Sequence, residues 1–328
     1  MDIKEDDFVL MIKTYSNPVE IQNVLLPYLK HLPNNILTRV VPQDPLEVLN
    51  PETYSIGYLY ILLARRQVSE FNSIRDNCIA FLEVFDVELV SSMASAELKQ
   101  FLLWICESVN AINKSFSIIS TLRLILERYR DFTITLTPIH VIFVKQCFVA
   151  KAYKEAQFLL DSDIEFFHKS NEITYIDYLL YHFYGALLYV KLKFFSRALY
   201  FLGRIISALT LNTSAIQINA YKKFVILSLI VNGKMEHVPY ITDAISIKSY
   251  IFFGKAYNIF AKAYEHQDHE EIKDTYFEYR NLFIKDKNDK IVKYAIKFLS
   301  YHEIYRLNEI YTCISIMDIN KKIGPWNK

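Results

Sequence analysis

Glycine and proline are scarce in this chain, 6 and 9 in 328 residues. That scarcity excludes a protein of many strands and tight turns, and leaves too few glycines for several phosphate-cradling loops. With abundant Leu, Ile, Lys and Glu, it favours long helices joined by short turns. Cysteine is scarce too: Cys78, Cys106, Cys147 and Cys313 lie far apart with no C-x-x-C pair. They read as small buried hydrophobes in a reducing compartment. An excess of one charge is also missing, since 37 basic residues face 36 acidic ones and the net charge is +1. No global field therefore draws the chain to nucleic acid or to an acidic surface. The acidic start MDIKEDDFVL lacks the basic head and apolar core of a secretory leader. The expected location is cytoplasm and nucleus.

What the chain does have is apolar and aromatic bulk: 52% hydrophobic residues, with 24 Tyr and 23 Phe. Its length is enough to bury a large core. The stretch YHFYGALLYVKLKFFSRALYFLGRIISAL (181 to 209) looks greasy enough for a membrane. However, His182, Lys191, Lys193, Ser196, Arg197 and Arg204 interrupt it, and no uncharged run reaches the roughly 18 residues of a span. Tyr184, Leu187, Leu188 and Lys191 follow an i, i+3, i+4, i+7 spacing, as do Ala198, Phe201, Leu202 and Ile205. With KLKFF between the two blocks, the reading is a helix, a short turn and a second helix packed back on the first.

The hairpin recurs. KAYKEAQFLL (151 to 160) aligns with KFFSRALYFL (193 to 202) at a constant offset (198 − 156 = 42), matching Ala156 with Ala198 and Leu160 with Leu202. A weaker copy, KSFSIISTLR, starts at Lys114, 37 residues before Lys151. A further helix, AYKKFVILSLIVNGKMEHVPYIT, turns at Asn232-Gly233. Small residues where helices cross, with aromatics nearby, are the physics of tetratricopeptide repeats. The drifting period makes these copies degenerate. The expected fold is all-α: a right-handed solenoid of TPR-like hairpins, each burying its face on its neighbours.

Cap signals agree. Asn50-Pro51 and Thr137-Pro138 set a capping side chain before a first-turn proline, and Ser214 with Gln217 fits a capping box. The last forty residues predict an amphipathic helix through Ile291, Tyr294, Ala295 and Phe298. A second begins at a Ser300–Glu303 capping box, and a short third begins at Ser315–Asp318 and closes at Gly324-Pro325. That is how a winged-helix module begins. Its recognition helix and wing strands have no counterpart before Lys328, so residues 1–284 read as helical repeats and 285–328 as a truncated module.

The chemistry search returns little. His266 and His269 (EHQDHEE) are spaced wrongly for two ligands on one helix, and a solvated turn is the favoured reading. His302-Glu303 lacks the second histidine of H-E-x-x-H, and there is no H-x-H with a spaced Asp, no G-x-S-x-G, no G-x-G-x-x-G and no P-loop. His140 and Cys147, seven apart, read as a buried pair rather than a catalytic one. In KDKNDKIVKYAIK (285 to 297) lysines alternate with aspartates, which favours a solvated loop and helix face over a phosphate site. The expectation is no enzyme, with no catalytic, cofactor or metal residues.

LTPIHVIFVKQCFVAKAYKEAQFLLD (136 to 161), YHFYGALLYVKLKFFSRALYFLGRII (181 to 206) and AYKKFVILSLIVNGKMEHVPYIT (220 to 242) resemble the subunit 3 family of the COP9 signalosome. LNPETYSIGYLYIL (49 to 62) resembles the same family. The tightest motifs are K-x-F-x-R-A-L-Y-F from Lys193 to Phe201 and AYKK-F-x-I-x-S-L-I-x-x-G-K from Ala220 to Lys234. The resemblance runs from about residue 45 to 324. It implies a non-catalytic scaffold of helical repeats leading into a PCI winged-helix domain, within a complex that removes a ubiquitin-like modifier from cullins through a metal centre on another subunit. Implied partners are other PCI subunits and, indirectly, cullin-RING ligases, with no membrane and no nucleic acid. Scaffolds of the proteasome lid or of translation initiation share this architecture, and a nucleic-acid-binding PCI protein is the rival of another class. The expected partner interface is Tyr294, Phe298, Tyr301, Tyr305, Ile316, Ile319 and Trp326.

Overall fold

The computed structural model describes residues 7–15, 17–38, 40, 43–129, 132–167, 173–210 and 212–318. The fold is all-α, as the composition implies. Among the described residues, twelve helices reach nine residues or more. They are α1 (Ser55–Arg65), α2 (Phe71–Val84), α3 (Ser95–Ala111), α4 (Ile119–Glu127), α5 (Pro138–Val149) and α6 (Tyr175–Leu192), then α7 (Phe195–Ile206), α8 (Ala215–Asn232), α9 (Ala244–Phe253), α10 (Lys255–His266), α11 (His269–Lys285) and α12 (Asp289–Ile310). Among the described residues, extended pairing is confined to a parallel bridge of Thr135–Leu136 with Phe166–Phe167. The chain divides into two compact units, Met1–Tyr178 and Leu179–Lys328, with the boundary inside α6.

With so little glycine, the helices stop by another device. Asn113, Lys151, Lys193, Gln267 and Lys287 all take left-handed φ angles, and Gly233 has φ 70°. After four of these stops the next N–H reaches back to close the helix. Lys114 bonds Val109 at 3.0 Å, Ala152 bonds Cys147 at 2.9 Å, Phe194 bonds Tyr189 at 2.9 Å, and Asn288 bonds Phe283 at 2.8 Å. A left-handed residue with a side chain costs about 1 kcal/mol. Lysine offsets part of that by placing its charge at the negative end of the helix. The stops at 113, 151, 193 and 233 are 38, 42 and 40 residues apart, within the drifting repeat period, whereas those at 267 and 287 follow after 34 and 20 residues. The weak copy begins at Asn113, one residue before the alignment on Lys114.

The hairpin at 181 to 209 forms as the spacing predicts, with α7 burying Ala198, Phe201, Leu202 and Ile205. The face assigned to α6 is wrong. Tyr184 and Leu187 are half-buried and Lys191 is exposed, whereas Tyr181, Gly185, Ala186, Leu188 and Tyr189 are buried. Tyr181 and Tyr189 pack on Phe201 at 6.3 and 5.4 Å. Ser214 and Gln217 form the expected capping box of α8. Thr137 caps α5, but its reciprocal partner is His140, whose Nδ1 accepts the Thr137 N–H at 3.1 Å. Asn50 accepts the Glu52 N–H at 2.9 Å, yet residues 51–54 form a turn and α1 starts only at Ser55.

In the first unit, Phe81 anchors α2 between Tyr58 of α1 and Phe101 of α3, at 5.6 and 5.7 Å. Arg65 closes α1 with a bidentate pair to Asp44, whose other duty is to accept the Leu46 N–H at 2.9 Å. Asn110 and Gln146 exchange amide bonds at 3.2 and 2.8 Å, joining α3 to α5. Asp177 in the first turn of α6 accepts two bonds from Lys99 of α3, at 2.9 and 2.7 Å. Cys78, Cys106 and Cys147 are buried, and desolvation pushes each thiol up to about 12. Cys313 is exposed, contrary to the reading of all four as core residues, because it follows α12 rather than lying within a helix.

Candidate interaction surface

The second unit is built around α8, whose buried residues fall on nearly every side of the helix. A chain of polar side chains joins α8, α10 and the turn before α12. Lys223 of α8 donates to Asn288 Oδ1, Asn288 Nδ2 donates to Tyr257 at 2.9 Å, and Tyr257 donates to Asp286 at 2.8 Å. Lys222 also donates to Asp286, at 2.8 Å. Burial pulls the Lys223 ammonium down to about 8, against the raising effect of Asp286. The lysines of the stretch from Lys285 stand in solvent, as expected of a solvated loop and helix face, but Asn288 among them is 1% exposed and fixes where α12 begins. Asp286 and Asn288 carry no mark of this role, since they look like ordinary turn residues between lysines.

From that joint α12 runs beside α8, burying Val292, Ala295 and Leu299. The break expected at Ser300–Glu303 is absent, and one helix of 22 residues spans both segments. Packing along α8 and α11 outweighs the local cap signal of Ser300, which sits inside the helix. His302 Nε2 lies 3.0 Å from the Ile230 carbonyl near the end of α8, against the left-handed Gly233. Glu303 meets His269 of α11 at 3.1 Å. Burial raises the Glu303 carboxyl and lowers the His269 imidazole, so this contact is weaker as an ion pair than its distance suggests. His266 turns instead to Glu271, also at 3.1 Å, so the two histidines of EHQDHEE do not converge.

The expected interface residues fall into three groups. Tyr294 and Phe298 are half-buried against Phe195 of α7, with ring centroids at 5.5 and 6.0 Å. Tyr301 and Tyr305 stand in solvent, 66% and 67% exposed, with Ile304 and Ile310 also exposed on the two turns of α12 beyond His302. Ile316 is exposed at the start of the next helical turn, where Ser315 caps by accepting the Asp318 N–H at 3.1 Å. Ile319 and Trp326, with Gly324 and Pro325, lie outside the described residues. Among the described residues, no helix is long and apolar enough to cross a membrane, and no cluster of three metal-ligating side chains forms.

This arrangement presents exposed apolar side chains of the kind that protein partners cover. Comparison with known proteins shows which family the chain resembles. Residues 24–246 match the family described as COP9 signalosome complex subunit 3, N-terminal helical repeats. The chain belongs to this family. It is 28% identical over 324 residues to COP9 signalosome complex subunit 3 of Dictyostelium discoideum, covering 97% of this chain and 76% of that protein. It is 26% identical over 305 residues to the protein of the same name from Drosophila melanogaster, covering 85% of this chain and 67% of the relative. The family match ends just inside α9, while the Dictyostelium relative aligns with nearly the whole chain.

Proposed function

We propose that the chain is a non-catalytic scaffold subunit of the COP9 signalosome. It supports cullin deneddylation, and so regulation of cullin-RING ubiquitin ligases, through contacts with other PCI subunits in cytoplasm and nucleus. The observation that carries this reading is the exposed end of α12 in a chain of this family: a rigid helix, fixed by its polar joint, that holds Tyr301, Ile304, Tyr305 and Ile310 in water. Residues 1–284 act as the repeat region and 285–328 as the start of the PCI module, with Tyr294, Phe298, Tyr301, Tyr305, Ile316, Ile319 and Trp326 as its partner interface. Tyr301→Ser with Tyr305→Ser should cut affinity for the other subunits about thirtyfold, read as lost recovery in quantitative co-purification, since exposed aromatic anchors are worth on the order of 1 kcal/mol each. Melting should shift little, because both rings are mostly exposed, although Tyr301 packs on the fold, against Phe298 at 5.3 Å. Unchanged recovery would contradict the interface. Recovery of proteasome-lid or initiation subunits instead would move the scaffold to a sister complex, and salt-sensitive RNA or DNA binding would replace it with a nucleic-acid role.

A further inference from the structure

On the side of α10 away from the polar joint, Lys255, Asn258, Ile259 and Lys262 form one wall of an open groove of about 630 Å³. Its floor is Ile247 and Ile251 of α9 with Met235 and Val238 of the segment after α8. Helix α9 is built in reverse. It buries Ser246 and Tyr250 and turns Ile245, Ile251, Phe252 and Phe253 to solvent. Tyr250 stacks on Tyr221 at 4.9 Å and donates to the Ile206 carbonyl at 3.1 Å, so the orientation of the helix is fixed from below. Lys248 and Ser249 lie between the outward residues, but four large apolar side chains held outward on one short helix mark an interaction site rather than a core defect.

The charges around the groove select its occupant. The acidic charges sit at one end, where exposed Glu265 accepts the Met235 N–H at 2.7 Å and exposed Glu236 accepts the Asn232 amide at 3.3 Å, so the basic charge is confined to the wall. Asn258 Oδ1 is taken by the Tyr221 hydroxyl at 2.9 Å, which leaves Nδ2 to donate outward. Lys255 and Lys262 are exposed and form no ion pair among the described residues. Seven residues apart on one helix, they stand about 10 Å from each other on the same face. The wall is thus a row of donors above an aliphatic floor.

We propose that this groove seats an amphipathic helix from another protein of the complex, with aliphatic side chains on Ile247 and Ile251 and two carboxylates about seven residues apart on Lys255 and Lys262. The proposal rests on the scaffold reading above and extends it to a second contact, separate from the end of α12. The test places a photo-crosslinking amino acid at Ile251, and in a second protein at Tyr305, in the full chain within its complex. The expected product at Ile251 is a peptide of another subunit bearing two acidic residues seven apart. Its yield should fall about tenfold in Lys255→Glu/Lys262→Glu, and also in the unsubstituted protein at raised salt. A product with this chain itself, a partner peptide without the acidic pair, or a yield indifferent to both charge reversal and salt overturns the proposal. So does silence at Ile251 while Tyr305 crosslinks, which leaves the scaffold reading standing. Silence at both positions contradicts the two together.

Discussion

Asp44→Ala should lower the stability of the first unit by about 4 kcal/mol, the range for removing one partner of a buried ion pair. The Arg65 side chain is only 6% exposed, so losing its bidentate acceptor strands a guanidinium away from water. The same substitution removes the oxygen that caps Leu46. Burial alone would raise the Asp44 carboxyl. The Arg65 hydrogen bond, the Leu46 N–H and the guanidinium charge outweigh it and hold it below the ordinary value of 3.8. The pair's contribution is therefore complete above that value and is lost as pH falls below it. Urea unfolding of the full chain measures the loss as an early transition of this unit. Removing both partners, with Asp44→Leu and Arg65→Met, should cost less than Asp44→Ala alone, since no charge is then left buried. A loss under about 1 kcal/mol from Asp44→Ala would show that water reaches Arg65.

The second large effect is a pH dependence set by His140. The ring is fully buried at the start of α5, its Nδ1 accepting the Thr137 N–H at 3.1 Å and its Nε2 lying 2.6 Å from the Phe132 carbonyl. Those partners fix the tautomer with the proton on Nε2, and a second proton on Nδ1 would break the cap. Burial pulls the imidazole down to about 4 from 6.5, against the raising effect of the Phe132 carbonyl. Between those values the unfolded chain takes up a proton that the folded chain refuses. Stability is then complete above pH 6.5 and falls by about 3 kcal/mol as pH drops to 4. His140→Gln keeps an acceptor for Thr137, in the manner of an ordinary capping box, and removes the titration. Its unfolding free energy should fall less steeply across this window than that of the unsubstituted chain. Equal slopes would place the pH dependence elsewhere.

How far the structure was legible depended on local competition. The stripe of α7 was readable because that helix has one wet face, with Ser196, Tyr200 and Arg204 opposite its core residues. The phase of α6 was not, because a helix apolar on most sides offers no polar face to set the register. The stops at Lys151, Lys193 and Lys287 carry no sequence mark, since lysine in a left-handed position is licensed only by the bonds that close the helix. Ser300 gave a false helix start because the same residues also favour continuation, and packing on α8 decided the matter. In the candidate surface, Tyr301 and Tyr305 stood out as aromatics on a helix end, whereas the groove did not. Its signal is the inversion of α9, which needs the helix placed on Tyr221 before Phe252 can be seen to face water.

The central claim is that this chain works as a subunit of a signalosome. Affinity purification of the tagged chain from its own cells, with mass spectrometry of the eluate and an assay of its activity on neddylated cullin, tests it most directly. The account predicts other signalosome subunits at near-equal amounts and a cullin-deneddylating activity that accompanies them. A chain recovered without partners, or with the subunits of another complex and no such activity, would contradict it.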